Sequence, residues 1–205
     1  TVDDAAARTE TRRLLAPEDD ALLAARTRSG PADDVPSPEV GALLAWAARR
    51  VEAQTAVEVG SAAGLTGLWL LDGLSGRGVL TSVEPDAHRH GLATQAYAEA
   101  GVTGRVRAIE GDPAAVLPRL ADAAYDVVLL QDSVDPGHLD HAMRLVRVGG
   151  VLLIRGALAA APRGVMRGLI GDGEATVAER VAGDDRLDAI SLPIDTGLLL
   201  ATRTV

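Results

Sequence analysis

The stretch VEVGSAAG, residues 57–64, decides the reading of this chain. Val57 and Val59 flank Glu58 in a β-forming run that stops at Gly60, and Gly64 leads into a helical stretch at 64–74. A strand that turns through glycines into a helix offers a ligand two things. Glycine lets backbone approach closely, and the first turn of the helix presents unpaired N–H groups to an anion. The spacing is E-x-G-x-x-x-G. The dinucleotide fingerprint G-x-G-x-x-G fails, because Ala62 stands where its second glycine would fall. The spacing suits a ligand that carries an amino-acid carboxylate rather than a pyrophosphate.

Outward from that loop, strand and helix signals alternate. Further β-rich runs lie at 78–84 (GVLTSVE), 105–111 (RVRAIEG), 125–131 (YDVVLLQ) and 150–156 (GVLLIRG), beside TAVEVG at 55–60. Helical stretches are predicted at 86–101, 113–121 and 136–147. Near-continuous apolar strands alternating with helices predict a parallel sheet covered on both faces. Asp112-Pro113 and Asp135-Pro136 repeat a cap-then-proline start, as does Ser37-Pro38-Glu39 before a helix carrying Leu43, Leu44, Trp46 and Ala47. The first ~30 residues read as helical, with Leu14, Leu15, Leu22 and Leu23 as apolar positions. Residues 29–37 form a breaker-rich loop. DRLDAISLPIDTGLLLATR at the far end reads as an antiparallel hairpin closing the sheet. The expectation is one α/β domain over 1–205, with N-terminal helices in 1–50 and the core in 55–205.

In such a sheet the ligand sits beyond the carboxyl ends of the strands, near the switch in strand order. Glu84 ends the second strand, where an acid can accept both hydroxyls of a ribose. Asp112 follows the third strand in Gly111-Asp112, placed to face an adenine amino group, or to act only as a helix cap. His138 and His141, three apart on a helix, read as an ordinary partly exposed pair, and His88 and His90 as surface residues. Trp46 and Trp69 read as core, although Trp46 could also wall a substrate pocket. The runs Glu18-Asp19-Asp20, Asp33-Asp34 and Asp184-Asp185 read as solvated caps and loops.

Composition narrows the chemistry. A net charge of −9 argues against a nucleic-acid backbone as partner. The absence of cysteine and of lysine excludes disulfides, thiolate metal sites, thiol nucleophiles and lysine Schiff-base chemistry. No apolar run reaches the ~18–20 residues needed to span a bilayer. The acidic start TVDDAAARTE lacks an apolar core segment, so no secretory signal is read and a cytoplasmic location is expected.

Nearly the whole chain resembles the small bacterial class I O-methyltransferases related to catechol and caffeoyl-CoA O-methyltransferases. The segments that carry the resemblance are VPSPEVGALL (35–44), VEVGSAAGLTGLWLL (57–71), SVEPD (82–86), AGVTGRVRAIEGDPAAVLPRL (100–120), YDVVLLQD (125–132), RLVRVGGVLLIRG (144–156) and SLPIDTGLLLATR (191–203). It implies a Rossmann-like methyltransferase fold: a mostly parallel seven-stranded sheet, a C-terminal antiparallel hairpin and N-terminal helices. It implies S-adenosylmethionine as cofactor, a small-molecule methyl acceptor and a homodimer. By the same resemblance Glu58, Gly60, Ser61 and Gly64 line the methionine end. Glu84 takes the ribose, Gly111, Asp112 and Pro113 border the adenine, and Pro85 and Gln131 belong to the cofactor site.

The match breaks at the family's divalent-metal site. Its first carboxylate position falls on Gln131, with Asp132 one place later. Its Asp-Asn pair falls on Arg155 and Gly156, and its lysine on Val134. Mg²⁺ needs hard oxygen ligands, and a guanidinium would repel the ion, so no metal is expected. Two readings of the break follow. Arg155 could replace the metal and steady an anionic acceptor, with Asp132 as base or as the partner orienting Arg155. Otherwise Arg155 and Asp132 form a structural ion pair, and the chain is an S-adenosylmethionine-binding sensor or interaction partner without catalysis. An NAD-dependent oxidoreductase is disfavoured by Ala62 and by the closing hairpin.

Overall fold

A computed structural model describes residues 9–11, 13–15, 17–30, 35–131, 136–157 and 176–205. Helices α1 (Asp20–Arg28) and α2 (Pro38–Arg50) precede β1 (Thr55–Val59). A single 3₁₀ turn, Ala62–Gly64, leads from β1 into α3 (Leu65–Gly73). Then come β2 (Val79–Glu84), α4 (Ala87–Glu99), β3 (Val106–Glu110), the short α5 (Pro113–Val116), β4 (Tyr125–Leu130), α6 (Pro136–Leu145) and β5 (Val146–Arg155). The chain ends with α7 (Val177–Ala182), β6 (Leu187–Leu192) and β7 (Leu198–Arg203).

The seven strands form one sheet in the order β3-β2-β1-β4-β5-β7-β6. The first five are mutually parallel, whereas β7 runs antiparallel to both β5 and β6. The expected fold class and closing hairpin are both present. Strand order reverses at β1, between β2 and β4, which places the ligand crevice above the carboxyl ends of those strands.

Side-chain alternation splits the apolar residues into two cores. Ala56, Val127, Leu129, Val151 and Leu153 face one side, with Leu44, Leu65, Leu70 and Tyr97 of the helices. Val57, Val59, Val128, Leu130, Leu152 and Ile154 face the other, with Leu139 and Leu145 of α6. Glu58 is therefore in step with Ala56 and points under α3 and α4, and Arg155 is in step with Val151 and Leu153.

Some expectations need correction. Strand β5 starts at Val146 rather than 150, because the register against β4 shifts between Tyr125 and Val127 and absorbs Gly149 and Gly150. The helix expected over 113–121 stops at Val116 and tightens into a 3₁₀ turn, Leu117–Arg119, since Pro118 lacks the N–H a longer helix needs. Helix α7 was not anticipated, although Thr176 and Glu179 make a capping box that announces it. Of the N-terminal leucines only Leu22 is core; Leu14 and Leu23 are exposed. Trp46 is 55% exposed, whereas Trp69 is buried and donates its indole N–H to Glu18. Glu18 itself is a buried partner of Arg26 rather than a solvated acid. The caps at Ser37 and Asp112 are as expected, each side chain accepting a backbone N–H. Asp33, Asp34 and the Asp135 cap lie outside the described residues.

Candidate cofactor cleft

Backbone pairing continues one residue past the strand ends and pins the crevice floor. The Gly60 N–H donates to Val83 O (2.9 Å), Gln131 N–H to Val59 O (3.0 Å) and Gly111 N–H to Glu84 O (3.1 Å). Above that floor lies a cleft of about 340 Å³ lined by Gly60, Ser61, Ala62, Glu84, Pro85, Arg89, Asp112, Pro113, Gln131 and His138, with Val59 at its base. Seven of the ten residues expected at a cofactor are thus in one wall. Glu58, Gly64 and Gly111 are not in the lining.

The loop between β1 and α3 is tightly wound. Gly60 (φ 83°), Ala62 (42°), Ala63 (54°) and Gly64 (90°) all occupy left-handed backbone, which costs the two alanines roughly 1–2 kcal/mol each. Gly64 serves packing rather than lining: a Cβ there would stand 2.9 Å from Ala96 Cβ and 3.0 Å from Ala93 Cα of α4.

Glu84 joins the loop to β2. Its Oε2 accepts from the Ser61 N–H (2.9 Å) and the Ser61 hydroxyl (2.8 Å), and its Oε1 accepts from the Asp86 N–H (3.1 Å). The side chain is 4% exposed, yet it forms part of the cleft wall. A carboxylate offers about four acceptor sites, so it retains capacity for ligand hydroxyls.

Glu58 sits behind the loop, fully buried. Its Oε1 accepts from Ser82 Oγ (2.7 Å) and Tyr97 Oη (2.9 Å), and its Oε2 accepts from Thr66 Oγ1 (2.7 Å). Burial raises its pKa from 4.5 to about 7, against the lowering effect of these three hydroxyls. Burial and the nearby Glu58 carboxylate likewise push the Tyr97 phenol well above its ordinary value.

Gln131 completes the network. Its Nε2 donates to Gly60 O (2.6 Å) and to Thr66 Oγ1 (2.7 Å). Since Gly60 O can only accept, the atom facing it must be the nitrogen. The other amide atom, Oε1, is buried without a hydrogen-bond partner beside the cleft. The order Glu58–Thr66–Gln131–Gly60 ties a carboxylate under the sheet to a carbonyl in the cleft wall.

The acceptor side is less complete. Arg155 is 2% exposed and is not among the residues lining this cleft. Asp132 and Val134 lie outside the described residues. Among the described residues no three His, Asp or Glu side chains converge as a metal-binding group. Sequence reasoning missed Arg89 and His138 as lining residues, and Thr66, Ser82 and Tyr97 as partners of Glu58. Ser82 left a trace, as a hydroxyl inside an otherwise apolar strand.

Comparison with known proteins agrees with this geometry. A family described as a methyltransferase domain matches residues 57–154. A protein of Mycolicibacterium smegmatis assigned to the O-methyltransferases is 39% identical over 202 residues, 91% of each chain. Another so assigned, from Mycobacteroides abscessus, is 40% identical over 192 residues, 91% of this chain and 89% of its own. Among solved structures, a Corynebacterium glutamicum protein superposes with a TM-score of 0.79 at 28% identity, covering 97% of this chain and 96% of its own. The O-methyltransferase TomG of Streptomyces achromogenes, involved in tomaymycin synthesis and solved with S-adenosylmethionine, gives 0.80 at 26% identity, covering 96% and 95%. With the strand order, the glycine loop and Glu84 in the cleft wall, these likenesses place the chain in the class I S-adenosylmethionine-dependent O-methyltransferase family.

Proposed function

We propose that this chain transfers a methyl group from S-adenosylmethionine to an oxygen of a small molecule without a divalent metal. The observation that carries the metal-free part is Gln131. At the position where the family holds its first metal carboxylate stands an amide whose N–H groups are bound to Gly60 O and Thr66 Oγ1. One neutral oxygen remains there, the next position carries the cation of Arg155, and Gly156 has no side chain. That set does not fit Mg²⁺, which demands several hard oxygen ligands.

The cleft fits the organic cofactor better. Glu84 would hold the ribose hydroxyls with its spare acceptor capacity, Gly60 and Ser61 would border the methionine end, and Pro85, Asp112 and Pro113 the adenine, with Gly111 supporting that turn. When bound, S-adenosylmethionine supplies an electrophilic sulfonium methyl. The protein's own part is to orient the acceptor oxygen in line with it and to remove a proton from that oxygen. Positioning supplies much of such an acceleration, and a base adds about 10²–10⁴-fold. Asp132 is assigned as that base. Glu58 and Gly64 are assigned to shaping the loop, and Arg155, given its burial, to supporting the acceptor side from behind. The burial of Arg155 also favours a second reading, a cofactor-binding sensor or interaction partner that has lost turnover.

The proposal extends to a single methyltransferase domain over 1–205 that acts in the cytoplasm as a homodimer and binds no nucleic acid. The acidic charge supports the last point, and among the described residues no helix is long and apolar enough to cross a membrane. Calorimetric titration with S-adenosylmethionine and S-adenosylhomocysteine, with and without Mg²⁺, tests the core of the proposal. Binding that ignores Mg²⁺, followed by methylation in an acceptor screen that survives a chelator, is the expected result. Dependence on the ion refutes the metal-free reading. Binding without turnover on any acceptor favours the sensor.

A further inference from the structure

Helix α1 reaches into the cofactor loop through one side chain. Ser29, at the C-cap of α1, directs Oγ toward Ala25 O (2.8 Å) and Ala62 O (2.9 Å). The hydroxyl has one proton, so it forms a three-centre bond between the last turn of α1 and the loop. The carbonyl it reaches belongs to Ala62, the first of three consecutive left-handed residues and itself part of the cleft wall. Non-glycine residues hold such backbone only where their surroundings over-determine it. On the side of Gly64 that restraint is α4, whose Ala93 and Ala96 press against the glycine. On the side of Ala62 it is the Ser29 hydroxyl, which shares the Ala62 carbonyl with the Leu65 N–H of the loop itself.

We infer that Ser29 is a positioning residue for cofactor binding: its hydroxyl holds the strained Ala62 peptide in the shape the cofactor requires. The N-terminal helix thereby becomes part of the cofactor site without touching the cofactor. Ser29 makes no contact that chemistry would demand of it. Its C-cap role is met by its own backbone N–H, which donates to Ala25 O and Arg26 O. The hydroxyl's second acceptor, 33 residues away along the chain, is the feature that a capping role leaves unexplained.

The inference rests on the loop binding S-adenosylmethionine, as proposed above. The test is titration of the full chain with S-adenosylhomocysteine in four forms: wild type, Ser29→Thr, Ser29→Val and Ser29→Val with Ala62→Gly. Thr and Val match in shape and differ in the hydroxyl. Ser29→Thr should bind as wild type does, and Ser29→Val about five- to tenfold more weakly, the loss of one hydrogen bond. Glycine at 62 adopts the left-handed conformation without strain, so the double variant should recover most of that loss. Thermal unfolding of each form separates folding from binding. If Ser29→Val binds as tightly as Ser29→Thr, the inference is overturned, whatever the change in melting temperature. So it is if Ala62→Gly restores nothing. If the wild type itself binds no S-adenosylhomocysteine, the functional reading fails first.

Discussion

Replacing Glu58 by Gln should remove most of a pH-dependent stability loss, with a size set by one buried carboxyl. The group is fully buried and its pKa is raised from 4.5 to about 7. A raised carboxyl pKa means that the folded state prefers the neutral acid. The stability this contributes is fully present below 4.5 and is lost as the pH rises through about 7. At roughly 1.4 kcal/mol per pH unit the whole loss is about 3 kcal/mol.

The hydrogen bonds allow this titration. When neutral, Glu58 can donate from Oε2 to Thr66 Oγ1, whose own proton then turns to Ser61 O at 3.2 Å. When ionised, it takes back the Thr66 proton at 2.7 Å. Glutamine mimics the neutral form, with its oxygen accepting from Ser82 and Tyr97 and its nitrogen donating to Thr66, so no partner is orphaned. Urea unfolding of wild type and Glu58→Gln between about pH 5 and pH 8 is the assay. The wild type should lose about 2–3 kcal/mol relative to the variant over that range. Comparing the two cancels the titrating groups that do not interact with Glu58. Parallel stability curves across the range would show that Glu58 titrates normally, and that the buried network has been misjudged.

Glu84→Ala removes the acceptor of the Ser61 and Asp86 N–H groups as well as the proposed ribose contact. The Kd for S-adenosylhomocysteine should rise about 10- to 100-fold by calorimetry; an unchanged Kd would exclude Glu84 from the site. Arg155→Ala should lower unfolding free energy by about 3 kcal/mol, the usual cost of breaking up a buried charged site, with cofactor affinity retained in the folded fraction. A variant that folds as well as wild type but loses turnover would return Arg155 to the acceptor site.

Local signals made the strand–turn–helix unit, the individual strands and the closing hairpin legible, because each is written in one contiguous stretch of chain. Depth was harder to read. Glu58 looks from the sequence like a ligand-facing acid at a strand end, but strand parity turns it away from the cleft, and its partners Thr66, Ser82 and Tyr97 come from three separate elements. Counting large apolar residues misjudged α2 for a related reason. The face that packs on α3 is built from small residues: a Cβ on Gly41 would meet Trp69 Nε1 at 2.2 Å, and one on Gly73 would meet Ala45 O at 2.4 Å. Helices that approach so closely bury glycine and alanine, and Trp46 is left on the outer face. The position of Arg155 at the end of β5 was legible, but its burial depends on what packs over that end.

On the proposed metal-free reading, the same network links the amide at position 131 to the shape of the loop. Above about pH 7, where Glu58 is ionised, a carboxylate at 131 would set acceptor against acceptor, since Gly60 O has no proton to give and Thr66 Oγ1 spends its own on Glu58. An amide satisfies both partners at once. Gln131→Glu is therefore expected to loosen the loop rather than to restore a metal site. It should weaken S-adenosylhomocysteine binding about tenfold, the cost of about one buried hydrogen bond, with no recovery on adding Mg²⁺. The Glu58→Gln background offers an internal check: there Thr66 receives a proton from residue 58 and is free to donate to a carboxylate at 131. The double variant should then bind more tightly than Gln131→Glu alone. If Gln131→Glu instead binds Mg²⁺ and keeps full cofactor affinity, the amide is a bystander, and the metal-free reading loses the observation that carries it.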